Sequence, residues 1–450
     1  MQKNFYSIIK LLLDVVIEKN LSPIYTARTL FILPSTVTVG LGTIDKSIKL
    51  LEEYNYKYEH PNNINLSCNE KNIFIMFLTN HALELLNRDL QSKLINVYLI
   101  NNKIQIDFIN NKIIQNIVYE MTYYYNYRNK DGWQEANKQI ILPNSNYINV
   151  NEPLNINNFN DQQSWCPLQG QKMLGARWGK VKNILKKKDI NNINKFIDSH
   201  YNVDIKSQCK EVLSKSLSLT DKEKMISEFW SGISKSVTPP GFFNMFLFGY
   251  FRSNSNSNKV ELEYFYKLNT GLFQASITVW DAKYRFIQCR PIQSIRLNYP
   301  DIPIDYYFGK SNTSVWKPYQ QSRSWTPPFP DYISGHSAFS SVASCILTKL
   351  LGSNVSKLNI KLTKDEFIML SPIFLTSNFD FMDISNIVIA PDSSKIQKNV
   401  PHKEILLNFN TWEEMAESAG ISRIYGGIHY PTSNIVSLEV GKMICNKLLH

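Results

Sequence analysis

Three short stretches of this chain concentrate cations and histidines at spacings that could do chemistry. The first, WDAKYRFIQCRPIQSIR, runs from Trp280 to Arg296, and in it Lys283 and Arg290 lie seven residues apart. That is two helical turns, so a helix would put both on one face, with Trp280 one turn before Lys283. Pro291 disfavours helical backbone at Arg290, so the second cation sits where the helix ends and can lean over the same space. The second stretch, PPFPDYISGHSAFSSV, runs from Pro327 to Val342 and predicts a helix from Ser334 to about Leu351, stopped by Gly352. First-turn amides have no internal partner and form a ready anion site. Gly335 lets an anion approach the backbone, and His336 in the same turn could give or take a proton. The third, GISRIYGGIHYPTSN, spans Gly420 to Asn434. Arg423 and His429 do not share a helical face there, but Gly426 and Gly427 allow a bend that brings both to one point. Each stretch alone has a plain reading: a snorkelling surface pair, a capped helix with a buried histidine, a glycine turn beside a core histidine. Together, three cations, two histidines and a helix N-terminus describe a pocket for a tetrahedral oxyanion. One histidine would serve as nucleophile or ligand and the other as acid and base.

The elements that must hold these residues read as helices. Ile8, Ile9, Leu12, Val15 and Val16 fall at helical spacing near the N-terminus. Asn80 to Ile100 and Asn102 to Asn129 continue the helical periodicity. Leu142 to Gln163 is an Asn-rich loop or strap, anchored just beyond by Trp165. Lys180 to Asp189 reads as one solvated helical segment. Thr220 and Glu223 form a capping box, and the two prolines of Thr238 to Asn244 mark a break. A long helix from about Val260 to Cys289 carries Leu262, Phe265, Leu268, Leu272 and Ile277 as its apolar stripe. Asn359 to Phe409 reads as an irregular excursion with strand-like pieces such as Asn386 to Ala390. Regular structure resumes with a second capping box, Thr411 and Glu414, and Gly420 is the expected helix stop. The expectation is an all-α helical bundle, with a helical N-terminal region over 1–215 and a catalytic bundle over 216–450.

Composition narrows the function classes. In 450 residues, 43% are hydrophobic and 12% aromatic, which excludes a disordered chain. Lys and Arg number 49 against 38 Asp and Glu, a net charge of +11. No basic block is dense enough to read nucleic acid, so the excess is assigned to solvated surface and to attraction of small anions. The six cysteines show no CxxC pair and no zinc spacing, and reduced thiols are expected. There is no haem or flavin motif. Asp14 interrupts the apolar run near the N-terminus, no cleavage site follows closely, and no stretch reaches the roughly 18 to 20 apolar residues of a membrane span. The expectation is a soluble protein without a transmembrane segment, cytoplasmic by preference. The oligomeric state is not readable.

The motifs also resemble a known family. KYRFIQCRP fits Lys-x6-Arg-Pro, ISGH fits the core of Pro-Ser-Gly-His, and SRIYGGIH fits Ser-Arg-x5-His. With EFWSG, TPPGFF and AESAGISRIYGGIHY, they resemble the vanadium-dependent haloperoxidases and the acid phosphatases that share their site, in the type-2 phosphatidic acid phosphatase superfamily. The resemblance covers Glu228 to Asn434, and TARTLFI around Arg28 is compatible with it. It implies a four-helix-bundle core and vanadate as cofactor. Lys283, Arg290 and Arg423, with Ser334 and the Gly335 amide, would hold the oxygens. His429 would bond vanadium axially and His336 would be the acid/base group. Trp280 and Phe329 would line the halide side. Ile333 stands where the family usually has proline. A carboxylate partner for Arg423 is usual, and Glu228 and Asp281 are both candidates.

The implied activity is that of a haloperoxidase, in which vanadate and hydrogen peroxide oxidise halide to hypohalous acid that halogenates small organic substrates. The alternative is a soluble phosphatase that cleaves a phosphate monoester through a phosphohistidine at His429, with His336 protonating the leaving group. A non-catalytic or nucleic-acid-binding protein is the third reading, and the complete motif set argues against it.

Overall fold

The protein is described by a computed structural model over residues 4–57, 64–136, 138, 147–154, 163–201, 204–232, 235–254, 261–322, 325–371 and 380–450. Its helices are α1 (Phe5–Glu18), α2 (Pro23–Gly42), α3 (Cys68–Leu90), α4 (Lys93–Asn101), α5 (Asn111–Asn129), α6 (Trp133–Ala136), α7 (Lys187–Ser199) and α8 (Ile205–Leu217) in the first half. The second half holds α9 (Asp221–Phe229), α10 (Thr238–Ser253), α11 (Glu261–Phe286), α12 (Pro291–Asn298), α13 (Gly335–Leu351), α14 (Lys364–Leu370), α15 (Trp412–Tyr425) and α16 (Pro431–Leu448). Three small antiparallel pairs complete the described structure: β1 (Pro303–Tyr306) with β2 (Gly309–Asn312), β3 (Lys361–Leu362) with β4 (Met382–Asp383), and β5 (Asn386–Ile389) with β6 (Ile405–Asn408). The all-α bundle and the strand-like excursion near 359–409 are both found. Residues 372–379 of that excursion, and 142–146 and 155–162 of the Asn-rich loop, lie outside the described residues.

Apolar periodicity explains most of these elements. In α1, Ile8, Ile9, Leu12, Val15 and Val16 are all buried, as their spacing predicts. The stripe of α11 is buried from Leu262 to Ile277 and continues through Trp280 to Lys283. That helix packs on α2, where Phe31 stacks on Phe273 with ring centroids 4.7 Å apart. One apolar core runs from α1 through α16. A second, smaller cluster gathers Cys209, Val212, Ile292, Ile295, Trp316, Ile424 and Tyr430 beneath α12.

Several expectations are corrected. The 20 residues of α2 are long and apolar enough to cross a membrane, by length and composition, and they are buried inside the helical core instead. Arg28 on α2 donates to the Arg128 carbonyl and to Asn129 Oδ1, both at 3.1 Å, so it fastens α2 to α5. The Thr238 to Asn244 stretch is no break: Pro239 and Pro240 fall in the first turn of α10, where the missing N–H costs nothing. Lys180 to Asp189 is not one helix. Only its last three residues join α7, and Ile184 and Leu185 are buried. Gly420 does not stop α15, which runs on to Tyr425 and ends at Gly426. A Cβ on Gly420 would stand only 2.3 Å from Asn434 Oδ1, so the glycine serves the approach of α16. The Thr220–Glu223 capping box is complete. Thr411 caps α15 by accepting from the Glu414 amide, while the Glu414 carboxylate accepts from Asn410. Cys345 and Cys445 form a disulfide joining α13 to α16, against the expectation of reduced thiols.

Candidate active site

The prolines before the Ser-Gly-His triplet build a ledge of carbonyls. Proline has no N–H to donate, and its fixed φ holds the chain extended. Lys283, in the last turn of α11, donates to the carbonyls of Pro330 (2.9 Å) and Asp331 (2.7 Å). Arg290 is the N-cap residue of α12. It donates to the carbonyls of Phe329 (2.7 Å), Pro330 (3.3 Å) and Ile428 (2.6 Å). Two buried cations thus converge on one strip of backbone. Burial pushes the Lys283 ammonium well below its ordinary value, with Arg290 adding repulsion, and lowers Arg290 to about 10. The strap that precedes Trp165 also supports this corner: the Gln163 carbonyl accepts from Cys289, and the buried Trp165 donates its amide to Ile287.

Phe329 forms the floor between the cations. Its ring lies 5.1 Å from Lys283 Nζ and 4.9 Å from the Arg290 guanidinium carbon. Trp280 packs beside it with centroids 5.0 Å apart, and its indole N–H donates to the Leu174 carbonyl. The two aromatic residues expected on one side of the pocket are therefore in contact. Gly335 sits above them, where a Cβ would touch Trp280 at 3.4 Å.

The helix start falls as its sequence predicts, with Ser334 as N-cap and Gly352 after the last turn. Ser334 Oγ accepts from the Ser337 amide and hydroxyl, which leaves its own proton free to donate. The amides of Gly335 and His336 have no intrahelical acceptor. His336 retains partial exposure, yet its Nε2 is buried and without a hydrogen-bond partner. Burial, then repulsion from Arg423 and His429, holds this imidazole well below its usual pKa.

Arg423 comes from the last turn of α15 and donates to Ser422 Oγ (2.9 Å) and the Ser227 carbonyl (2.6 Å). A guanidinium has five N–H donors, so the remaining ones are available to a ligand. No carboxylate reaches Arg423 among the described residues, and burial lowers it to about 9. Neither candidate partner is in place. Glu228 is buried and accepts from Tyr319, Ser394 and the Lys395 amide. Asp281 pairs with Arg285 at 2.9 Å.

The carboxylate at this site is Asp331, which the motif reading passed over. Its Oδ1 stands 2.8 Å from His429 Nδ1, with both side chains almost fully buried. Arg290 Nη1 lies 3.5 Å from His429 Nε2 on the opposite edge of the ring. Burial, only partly opposed by Asp331, pushes the His429 imidazole down to about 3, so it is neutral at pH 7. Burial raises the Asp331 carboxyl, but facing His429, Arg290 and Lys283 bring it below the ordinary carboxylate value. Asp331 lies inside the quoted PPFPDY run; what sequence could not show is that His429, from another element, would fold back onto it.

This donor set suits a tetrahedral oxyanion such as vanadate. It offers free guanidinium, hydroxyl and amide hydrogens, an unpartnered His336 nitrogen, and a neutral His429. Residues 263–450 match the family described as VCPO second helical-bundle domain. This part of the chain belongs to that family. The resemblance to vanadium haloperoxidases drawn from the motifs is borne out. The VCPO-type bundle holds all the cage residues, from Lys283 to His429. The whole chain is similar in fold to a bacterial vanadium-dependent iodoperoxidase, at 18% identity over 98% of this chain and 94% of the other, with a TM-score of 0.60. It is similar also to bacterial vanadium-dependent chloroperoxidase in holo and apo forms. Identity is 15% in both, over 95% of this chain and 92% or 95% of theirs, with TM-scores of 0.62 and 0.61. No curated protein sequence matches.

Proposed function

We propose that the chain is a vanadium-dependent haloperoxidase that uses hydrogen peroxide to oxidise halide to hypohalous acid, which then halogenates small organic molecules. The observation that carries this reading is the joint burial of Lys283, Arg290, Arg423 and two neutral histidines around a helix N-terminus, in a VCPO-type bundle. Vanadate, when bound, would supply a Lewis-acid centre that activates peroxide. Arg423, Ser334 and the Gly335 amide would bind its oxygens, with Lys283 and Arg290 adding positive potential. His429 would offer Nε2 as the axial ligand. Halide loses two electrons, peroxide is reduced to water, and one proton is consumed per turnover; His336 is placed to deliver it. Trp280 and Phe329 would keep water from the halide side.

A second reading is favoured by one contact. Asp331 against His429 Nδ1 would also make Nε2 a nucleophile toward phosphorus, as a phosphatase with a phosphohistidine intermediate requires. The two are separated by paired assays. With orthovanadate, peroxide and bromide, bromination of a diketone reporter is expected, and it should vanish in His336→Ala. Hydrolysis of nitrophenyl phosphate without any bromination would replace the first reading with the second.

A further inference from the structure

We infer that Asp331 is a positioning residue for the oxyanion site: its carboxylate holds the proton of His429 on Nδ1, and so keeps an unprotonated Nε2 turned into the cage. This rests on the oxyanion reading above and adds to it the residue that sets the tautomer of the ligating imidazole.

The two edges of the imidazole specify the same tautomer independently. At Nδ1 stands Asp331 Oδ1, 2.8 Å away, a group that when ionised only accepts. At Nε2 stands Arg290 Nη1, 3.5 Å away, a group that only donates. A proton on Nδ1 satisfies both neighbours; a proton on Nε2 satisfies neither. The carboxylate has no competing task, since neither of its oxygens takes any other hydrogen bond. Its direction is set by its own backbone. The Asp331 amide donates to the Gln288 carbonyl (2.9 Å), and its carbonyl accepts from Lys283 (2.7 Å) and Ser433 (3.4 Å). The residue is thus pinned to three elements that also carry the cage: α11, the segment before α12, and α16. Groups of this kind behind a ligating histidine fix ring orientation and basicity, and their loss typically weakens metal binding about 10- to 100-fold.

A purely structural ion pair would predict something else, so tautomer and affinity are measured together. The full-length protein is labelled with 15N-histidine, and the His429 signals are assigned by their loss in His429→Gln. The wild type should show the Nδ1–H tautomer. Asp331→Asn, whose amide oxygen still accepts, should keep it and bind orthovanadate within a few-fold of wild type. Asp331→Ala should lose that tautomer and bind orthovanadate about 10-fold more weakly or worse. An Nε2–H tautomer in the wild type would overturn the inference, even if the alanine variant failed to fold. So would an alanine variant that folds and binds vanadate normally, or an asparagine variant as impaired as alanine. A wild type that bound no vanadate while showing Nδ1–H would sink the functional reading and leave the assignment of Asp331 standing.

Discussion

Burial acts on the cage residues with different consequences for each. The arginines stay charged at pH 7 because lowering them to about 10 and about 9 still leaves them protonated. The histidines do not, because both start near neutrality and are pushed down. His336 is held neutral first by burial and then by the positive charge of Arg423. An oxyanion placed between them cancels that repulsion and favours imidazolium. Oxyanion binding near pH 7 should therefore take up as much as one proton. Affinity should fall as pH rises from the free imidazole's pKa to that of the complex, by up to tenfold per unit. Molybdate, which carries no proton of its own near neutrality, is the suitable ligand. Titration calorimetry in buffers of different ionisation enthalpy should show uptake in the wild type and none in His336→Ala. Equal heats in all buffers for the wild type would refute the coupling.

At the scale of elements, helix starts were legible and helix ends were less so. Ser334 and Thr220 cap the helices that their side chains predict, because a cap is a local bargain between one side chain and one free amide. Gly420 and Pro239 misled for a shared reason: both residues usually break helices, and here each is used for something else. Pro239 opens α10, and Gly420 clears space for Asn434 of α16. The carbonyl ledge from Phe329 to Asp331 was illegible because its meaning depends on cations about forty residues earlier in sequence. Gly420→Ala tests the packing argument. Its Cβ meets Asn434 Oδ1 at 2.3 Å and Ser337 Oγ at 3.3 Å. Asn434 in turn accepts from Ser337, which donates to the Ser334 cap. Overpacking there should cost about 1–3 kcal/mol in urea unfolding and should loosen oxyanion binding, because the displaced groups include the Ser334 cap. A variant as stable as wild type would mean that α16 yields without cost.

The whole molecule separates what stabilises the bundle from what shapes the site. α13 and α16 run through the VCPO-type core, with Ser334 to His336 at the start of one and His429 just ahead of the other. Near their starts they are joined by short polar contacts: the Ser334 amide donates to the Ser433 carbonyl at 3.2 Å, and Ser337 donates to Asn434 at 2.6 Å. Farther along, they are joined covalently by Cys345 and Cys445, which lie 100 residues apart in sequence. A cross-link closing so long a loop restricts the unfolded chain far more than the folded one, by about 2–4 kcal/mol in typical proteins. Cys345→Ser should therefore lower the urea midpoint by a corresponding amount. The site should be spared, since the cage is held by the Phe329 to Asp331 ledge and by the contacts at the helix starts, none of which involves the disulfide. The expected outcome is a less stable protein whose orthovanadate affinity, measured well below the unfolding midpoint, is unchanged. Affinity that fell together with stability would show that the far ends of α13 and α16 help to set the geometry at their starts, and that the bundle and its anion site act as one unit.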